Sequence, residues 1–141
     1  MKTVAIIDDS EEDRYLVRRA LRRSKPGVGF VEYDSAFHAV EDFLDEQSFQ
    51  ANVGKPPPPV LVLLDINMPR MNGFEFLERL EKEGLANNPY FVVMMFTSSN
   101  DPKERARAEA SPLVVDYIVK PITKEQMAAI GERPEFKLPV E

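Results

Sequence analysis

Four apolar runs of the chain each end on polar side chains that could carry out chemistry. Those polar residues are Asp8 and Asp9 after the first run, Asp65 after the second, Thr97 after the third and Lys120 after the fourth. Short apolar runs bounded by turn residues are typical of strands buried on both faces of a parallel sheet. Because parallel strands place their carboxyl ends on one edge, we predict that these side chains are neighbours in the folded chain.

Three carboxylates at one edge of a sheet repel each other unless a cation neutralises them. Hard oxygen donors without His or Cys favour Mg²⁺, which prefers octahedral geometry and keeps some of its waters. A carboxylate beside Mg²⁺, an ammonium and a hydroxyl is equipped to accept a phosphoryl group, since such transfer depends on positioning and charge neutralisation. In that chemistry Asp65 is the nucleophile and the product is an acyl phosphate.

Each of these residues also has a plain structural interpretation. Asp65 could start and cap its own turn, and Thr97 could be an ordinary turn residue. Asp8 and Asp9 could be acids favoured at a helix start, and Lys120 could be a solvated lysine. The functional interpretation is favoured because all five residues arrive at the same edge of one predicted sheet.

Five strands must position these residues. The apolar runs predict strands at 4–7, 28–33, 60–65, 90–96 and 113–119, the last interrupted by Asp116. Helix-start signals follow each strand, at Ser10, Ser35, Gly73, Pro102 and Thr123. Alternating strands and helices with right-handed crossovers predict an α/β fold, a doubly wound parallel sheet with helices on both faces.

Three segments depart from the simple alternation. Helical periodicity is lost over 47–59, so we predict a long loop there, with a short polyproline II spacer at 56–59. The helix at 103–110 has alanines but no large apolar stripe, and it should dock weakly. The last helix is expected to be short because Gly131 and Pro134 stop it.

Composition limits the class of protein. With 141 residues, 43% of them hydrophobic and 30% charged, the chain is a single globular domain by size and composition. A formal net charge of -6 argues against a nucleic-acid partner. No apolar stretch approaches the roughly 20 residues of a membrane span, and the first residues lack the apolar segment of a signal peptide. Together with the absence of cysteine, this predicts a cytoplasmic protein without a membrane partner.

The polar residues at the strand ends carry a family resemblance. The motifs are Asp8-Asp9, Leu64 to Pro69 followed by Met71-Asn72-Gly73, Thr97-Ser98, and Tyr117 to Pro121. In this order they resemble the receiver domain of bacterial-type two-component response regulators, over residues 2 to about 131. The resemblance implies the flavodoxin-like sheet order 2-1-3-4-5 and a cis Lys120-Pro121 peptide bond.

The resemblance also implies a role for each residue of the site. Asp65 accepts the phosphoryl group from a phosphohistidine of a sensor histidine kinase or of a histidine phosphotransfer protein. Asp9 and Asp65 bind Mg²⁺ directly, and Asp8 binds it largely through water. Asn67 contributes its backbone carbonyl. Lys120 pairs with Asp65 before transfer and with a phosphoryl oxygen afterwards.

Thr97 and Tyr117 form the implied switch. Thr97 hydrogen-bonds another phosphoryl oxygen and draws its loop inward, so that Tyr117 turns from an exposed to a buried position. The expected output surface combines the helix at 102–110, the strand that carries Tyr117 and the helix that starts at Thr123. A strand tyrosine at a sheet edge can also be a simple packing residue, and that alternative stays open for Tyr117.

Two other functions fit parts of the pattern. A phosphatase with an Asp nucleophile also uses Mg²⁺, Thr and Lys at strand ends, but the segment Asp65-Ile66-Asn67 lacks the second carboxylate that would act as acid and base. A receiver that serves only as a scaffold is disfavoured because all the titratable members are present. We therefore expect a signalling phosphoacceptor that assists its own phosphoryl transfer and dephosphorylation, and not an enzyme.

The expected organisation is a receiver domain at 1–131 and a C-terminal tail at 132–141. The tail carries Phe136, Leu138 and Val140, and it is either disordered or an arm that packs on a second molecule to form a homodimer. Since no second domain is expected after the receiver, the signal would pass by binding an unknown downstream target or by relaying phosphate.

Overall fold

The computed structural model describes residues 3–24, 27–56 and 59–133. Within these ranges the chain forms a five-stranded sheet in the order β2-β1-β3-β4-β5, and every neighbouring pair is parallel. The strands are β1 (Thr3–Ile7), β2 (Gly29–Tyr33), β3 (Val60–Leu64), β4 (Phe91–Thr97) and β5 (Val114–Val119). The predicted doubly wound class and the strand order implied by the resemblance are both confirmed.

Six helices cover the two faces of the sheet in the described part of the chain. They are α1 (Glu11–Ser24), α2 (Ala36–Leu44), α3 (Glu46–Asn52), α4 (Gly73–Lys82), α5 (Pro102–Glu109) and α6 (Lys124–Glu132). Side chains along a strand alternate between faces, so Ala5 and Ile7 pack with α2 to α5, whereas Val4 and Ile6 pack with α1 and α6. Helices on both faces explain why β3 is apolar at every position and fully buried.

The predicted loop at 47–59 is wrong in its first half, where the chain forms α3. Asp45 caps this helix by accepting a hydrogen bond from the Ser48 backbone N–H at 2.9 Å. Phe49 is 2% exposed, and its ring lies 5.3 Å from that of Phe43 and 5.6 Å from that of Phe91. A helix of seven residues that buries a single aromatic has no detectable periodicity. Residues 57 and 58 of the predicted polyproline spacer lie outside the described residues.

The other corrections are local. Gly131 does not end the last helix, which continues to Glu132, because a glycine inside a helix costs only about 1 kcal/mol. Pro134 and the rest of the predicted tail lie outside the described residues. The expected interruption of β5 at Asp116 is wrong: the strand runs unbroken from Val114 to Val119, and Asp116 pairs with Met94. The β4–β5 register shifts one residue earlier, where Val115 is the extra residue. The Lys120-Pro121 peptide bond is cis, as the resemblance implied.

Helix α5 has the weak apolar contact predicted for it, since Ala108 is its buried residue. Polar side chains supply the rest of its attachment. The Arg107 guanidinium lies 4.3 Å from the centroid of the Phe74 ring and 2.6 Å from a Glu78 carboxylate oxygen, both on α4. Such exposed contacts contribute little individually, so we expect α5 to open at a low free-energy cost.

Among the residues that the structure describes, no helix combines the length and the apolar character that crossing a membrane requires.

Gly84 ends α4 in the left-handed region of backbone conformation, with φ of 86°. Its N–H donates to Glu81 O at 3.0 Å, and the next N–H, of Leu85, donates to Leu80 O at 3.0 Å. We expect Gly84→Ala to lower the free energy of unfolding by about 1 kcal/mol, as measured by urea unfolding, because an L side chain is strained at this φ.

Gly27→Ala is the matched control for this prediction. Gly27 has no left-handed φ, and an added Cβ would meet nothing within 4 Å. Its stability should stay the same or rise slightly, since alanine restricts the unfolded chain. Similar losses of stability in the two variants would contradict the assignment of strain to Gly84.

Candidate functional site

The strand ends bring the predicted residues together at one edge of the sheet. Asp8 follows β1, Asp65 follows β3, Thr97 is the last residue of β4, and Lys120 follows β5. The Lys120 ammonium nitrogen lies 2.6 Å from Asp8 Oδ2 and 3.8 Å from Asp65 Oδ2. Side chains 112 residues apart in sequence are therefore in contact, as the parallel sheet predicts.

Three carboxylates line this edge as an acidic pocket, formed by Asp8, Asp9 and Asp65. One carboxylate oxygen from each lies within 4.8 Å of the others. Asp8 is 2% exposed and Asp65 is 7% exposed, whereas Asp9 is exposed and opens the pocket to solvent. A set of carboxylate oxygens matches the donors that Mg²⁺ prefers. Asn67, the fourth predicted ligand, lies two residues after Asp65 with its side chain exposed.

Backbone contacts fix the position of Asp65. Its N–H donates to Ile7 O at 3.0 Å, and its Oδ1 accepts from the Ile66 N–H at 2.9 Å. Gly73 begins α4 so close to this turn that an added Cβ would lie 2.3 Å from Asp65 O. Gly73 therefore has a direct structural role, because only a residue without a side chain allows α4 to start against the Asp65 carbonyl.

The pocket changes the ionisation of its members. Burial raises the pKa of Asp65 to about 6, and the neighbouring Asp8 and Asp9 carboxylates act in the same direction, while Lys120 and the Ile66 N–H partly oppose them. Burial alone would lower the pKa of Lys120, but its hydrogen bonds to Asp13 and Asp8 outweigh burial and raise it. At neutral pH the ammonium is charged and the Asp65 carboxylate is mostly ionised.

The expected pairing of Lys120 with Asp65 is present as an ion pair at 3.8 Å, but the ammonium has two closer partners. The ammonium hydrogen-bonds Asp8 at 2.6 Å and Asp13 at 2.8 Å, while Asp65 lies beyond hydrogen-bond distance. The sequence analysis did not identify Asp13 as a partner of Lys120. The Asp13 backbone N–H does donate to Ser10 Oγ at 3.2 Å, and its carboxylate turns towards the pocket. The available signal was the first turn of α1, in which three acids follow Asp8, Asp9 and Ser10.

Thr97 and Tyr117 meet at the loop that follows β4. Thr97 is fully buried, and its Oγ1 accepts a hydrogen bond from the Ser99 N–H at 3.2 Å. The Tyr117 hydroxyl donates to Ser99 O at 2.9 Å, and the ring is 4% exposed beneath the Arg105 guanidinium, 4.7 Å from its centroid. The resemblance implied an exposed Tyr117 before phosphorylation, whereas the ring is buried in this structure.

A doubly wound sheet whose carboxyl edge carries an acidic pocket, a buried hydroxyl and an ammonium defines a class of α/β domains suited to handling phosphoryl groups. The model of the response regulator receiver domain family matches residues 4–131 of the chain. The chain belongs to this family.

Individual relatives agree with this assignment. The sensor histidine kinase CheAY of Helicobacter pylori is 30% identical over 131 residues, which cover 92% of this chain and 14% of the kinase. The two-component response regulator ORR3 of Oryza sativa subsp. japonica is 30% identical over 134 residues, covering 95% of this chain and 91% of that protein. A crystal structure of a two-component response regulator from Cytophaga hutchinsonii superposes with a TM-score of 0.75 at 26% identity, covering 94% and 95% of the two chains.

The chain is thus similar in extent to a whole rice regulator and to a small part of the bacterial kinase. Receiver domains are signalling phosphoacceptors, and they bind Mg²⁺ at an acidic pocket. Response regulators interact with histidine kinases and with downstream targets.

Proposed function

We propose that Asp65 accepts a phosphoryl group, in an Mg²⁺-dependent reaction, from the phosphohistidine of a sensor histidine kinase or a histidine phosphotransfer protein. The observation that carries the proposal is the place of the Asp65 carboxylate, 7% exposed, beside two other carboxylates and 3.8 Å from the Lys120 ammonium. The family assignment and the similarity to the structure of the Cytophaga hutchinsonii regulator support the proposal.

In the proposed reaction an Asp65 carboxylate oxygen attacks phosphorus, the bond from phosphorus to the donor's imidazole nitrogen breaks, and the imidazole leaves. Asp8, Asp9 and Asp65, with the Asn67 carbonyl, would hold the Mg²⁺. When bound, that ion supplies charge neutralisation at the phosphoryl oxygens.

Lys120 serves the same reaction from the other side of the pocket. At 3.8 Å its ammonium leaves the Asp65 oxygen free to attack, and it remains within reach of an oxygen of the transferred group. A pKa of about 6 for Asp65 means that the carboxylate is ionised and nucleophilic at neutral pH.

We propose that Thr97 and Tyr117 transmit the modification to α5. A phosphoryl oxygen would accept a hydrogen bond from the Thr97 hydroxyl, which now accepts from the Ser99 N–H. Ser99 also bonds Tyr117 through its carbonyl and Glu104 on α5 through its hydroxyl. A shift of this loop therefore alters the helix with the weakest apolar attachment, and the changed surface of α5, β5 and α6 would bind the downstream target or support phosphate relay.

The test is incubation with acetyl phosphate and Mg²⁺, followed by intact mass measurement. The expected result is one added phosphoryl group per chain, and none when EDTA removes the cation. A chain that stays unmodified under both conditions would instead support a scaffold without phosphoacceptor activity. Repeated turnover of a small phosphate ester would support the phosphatase alternative.

Amide hydrogen exchange tests the output surface. We expect a stable phosphoryl mimic to change exchange rates in α5, β5 and the first turn of α6 more than in α1 or α2. The proposed switch contacts α5 and β5, and α6 packs with Ile118 of β5. Equal changes across all helices would contradict the proposed route from Thr97 to α5.

A further inference from the structure

Lys120 is held by a carboxylate that lies outside the proposed set of cation ligands. Its ammonium donates to Asp8 Oδ2 at 2.6 Å and to Asp13 Oδ2 at 2.8 Å. In the described residues, the acids whose oxygens cluster within 4.8 Å of one another are Asp8, Asp9 and Asp65, without Asp13. Asp13 therefore contacts the lysine and not the centre of the acidic pocket.

Asp8 has two competing partners in this arrangement. The Lys120 ammonium already donates to it, and a divalent cation bound in the pocket would draw on the same carboxylate. The Lys120 side chain is only 11% exposed, so water cannot fully replace a carboxylate that it loses. A second carboxylate within hydrogen-bond distance would still pair with the ammonium when the cation takes Asp8. Asp13, whose side chain is 37% exposed, provides this carboxylate.

We propose that Asp13 is a positioning residue that retains the Lys120 ammonium beside the pocket when a divalent cation takes the Asp8 carboxylate. The inference rests on the proposed function, because it requires a cation in this pocket. Without the Asp13 carboxylate, the partners left to the ammonium are Asp8 and Asp65, which are both proposed cation ligands. The lysine would then compete with the cation for them.

Isothermal titration calorimetry with Mg²⁺ tests the proposal on three chains, the wild type, Asp13→Asn and Glu12→Gln. Both substitutions remove one negative charge from the first turn of α1. Glu12 is exposed and is not among the carboxylates that pair with Lys120 in the described chain. We expect Asp13→Asn to weaken Mg²⁺ binding about tenfold, the order of one hydrogen bond to a charged group, and Glu12→Gln to weaken it less than about twofold.

A second readout follows the phosphorylation reaction itself. In Asp13→Asn, the Mg²⁺ concentration that gives half-maximal phosphorylation by acetyl phosphate should rise about tenfold. The rate at saturating Mg²⁺ should fall as well, because the cation then occupies Asp8 and Asp65 and no carboxylate is left to retain the Lys120 ammonium beside the pocket. Asp13→Glu keeps a carboxylate on the same turn and should restore most of the Mg²⁺ affinity.

The outcomes distinguish the inference from the proposed function. A wild-type chain that binds no Mg²⁺ would overturn both. A different result would overturn the inference alone. In that case the wild type binds Mg²⁺ and is phosphorylated, but Asp13→Asn binds Mg²⁺ as tightly as the wild type or is weakened no more than Glu12→Gln. Circular dichroism checks that each variant is folded, and Asp13→Ser, which keeps a residue favoured at helix starts, provides a second neutral variant.

Discussion

Replacing Asp65 by asparagine will abolish phosphorylation of the chain by acetyl phosphate and by a phosphohistidine donor. The amide lacks the anionic oxygen that attacks phosphorus, and no neighbouring acid is placed to take over. Asp8 is engaged by Lys120 at 2.6 Å, and Asp9 is exposed at the mouth of the pocket. Intact mass after incubation with Mg²⁺ and the donor measures the effect, and the modified species should be undetectable.

Asp34→Asn provides the matched control. Asp34 also follows a strand of the same sheet, β2, but its side chain is exposed and lies 3.2 Å from the His38 ring rather than in the pocket. This variant should be phosphorylated as the wild type is. Phosphorylation of Asp65→Asn to the wild-type level, or its loss in Asp34→Asn, would contradict the assignment of the nucleophile.

The second large effect is on stability in the absence of divalent cations. At neutral pH the free energy of unfolding of Asp65→Asn should exceed that of the wild type by about 3 kcal/mol. The carboxyl has a pKa of about 6 in the folded chain against 3.8 as its ordinary value, chiefly because it is buried. Between these values the folded chain holds a proton that the unfolded chain has lost, so the free energy of unfolding of the wild type falls as pH rises. Asparagine does not titrate.

The advantage of Asp65→Asn should therefore grow from about pH 4 to about pH 6 and stay constant above. Urea unfolding in EDTA at a series of pH values measures it. Mg²⁺ at a hundredfold excess over its Kd should remove most of the difference, because it stabilises the folded wild type by about 2.7 kcal/mol, while the variant lacks one cation ligand. An advantage of the same size at pH 4 and pH 7, or no response to Mg²⁺, would contradict this description of the pocket.

That the site residues lie close together could be predicted from the sequence, because one rule of sheet geometry determines it. Each apolar run ended on its polar residue, and parallel strands leave no freedom about the edge at which those ends meet. The acidic pocket and the approach of Lys120 to it follow from topology alone. For the same reason the doubly wound class was predictable without any contact being known.

Details that depend on tertiary packing were not predictable in the same way. Helix α3 exists because Phe49 fills space beside Phe43 and Phe91, and one buried ring in seven residues leaves no periodic signal. Phe76 is fully buried because α2 packs beside α4, with the Phe43 and Phe76 rings in contact, and this widens the buried stripe of the helix. Such contacts appear only when both partners have been placed.

The partners of Lys120 show the limit most clearly within the site. Its position at the pocket could be predicted because Lys120 directly follows β5. Which carboxylates it hydrogen-bonds depends on how far the side chains extend across the pocket. Asp13, on a helix start, lies 2.8 Å from the ammonium, while Asp65 lies 3.8 Å away. The burial of Tyr117 likewise depends on Ser99 and Arg105, which a strand pattern does not reveal.

The most direct test of the central claim is to map the phosphoryl group on the wild-type chain. Borohydride reduction of the acyl phosphate, followed by proteolysis and peptide mass spectrometry, marks the carboxyl group that carried it. The pocket geometry predicts a single reduced residue, Asp65, and only in samples that contained Mg²⁺. Reduction at another aspartate, or a phosphoryl group that resists borohydride and is found on a serine, threonine or histidine, would contradict it.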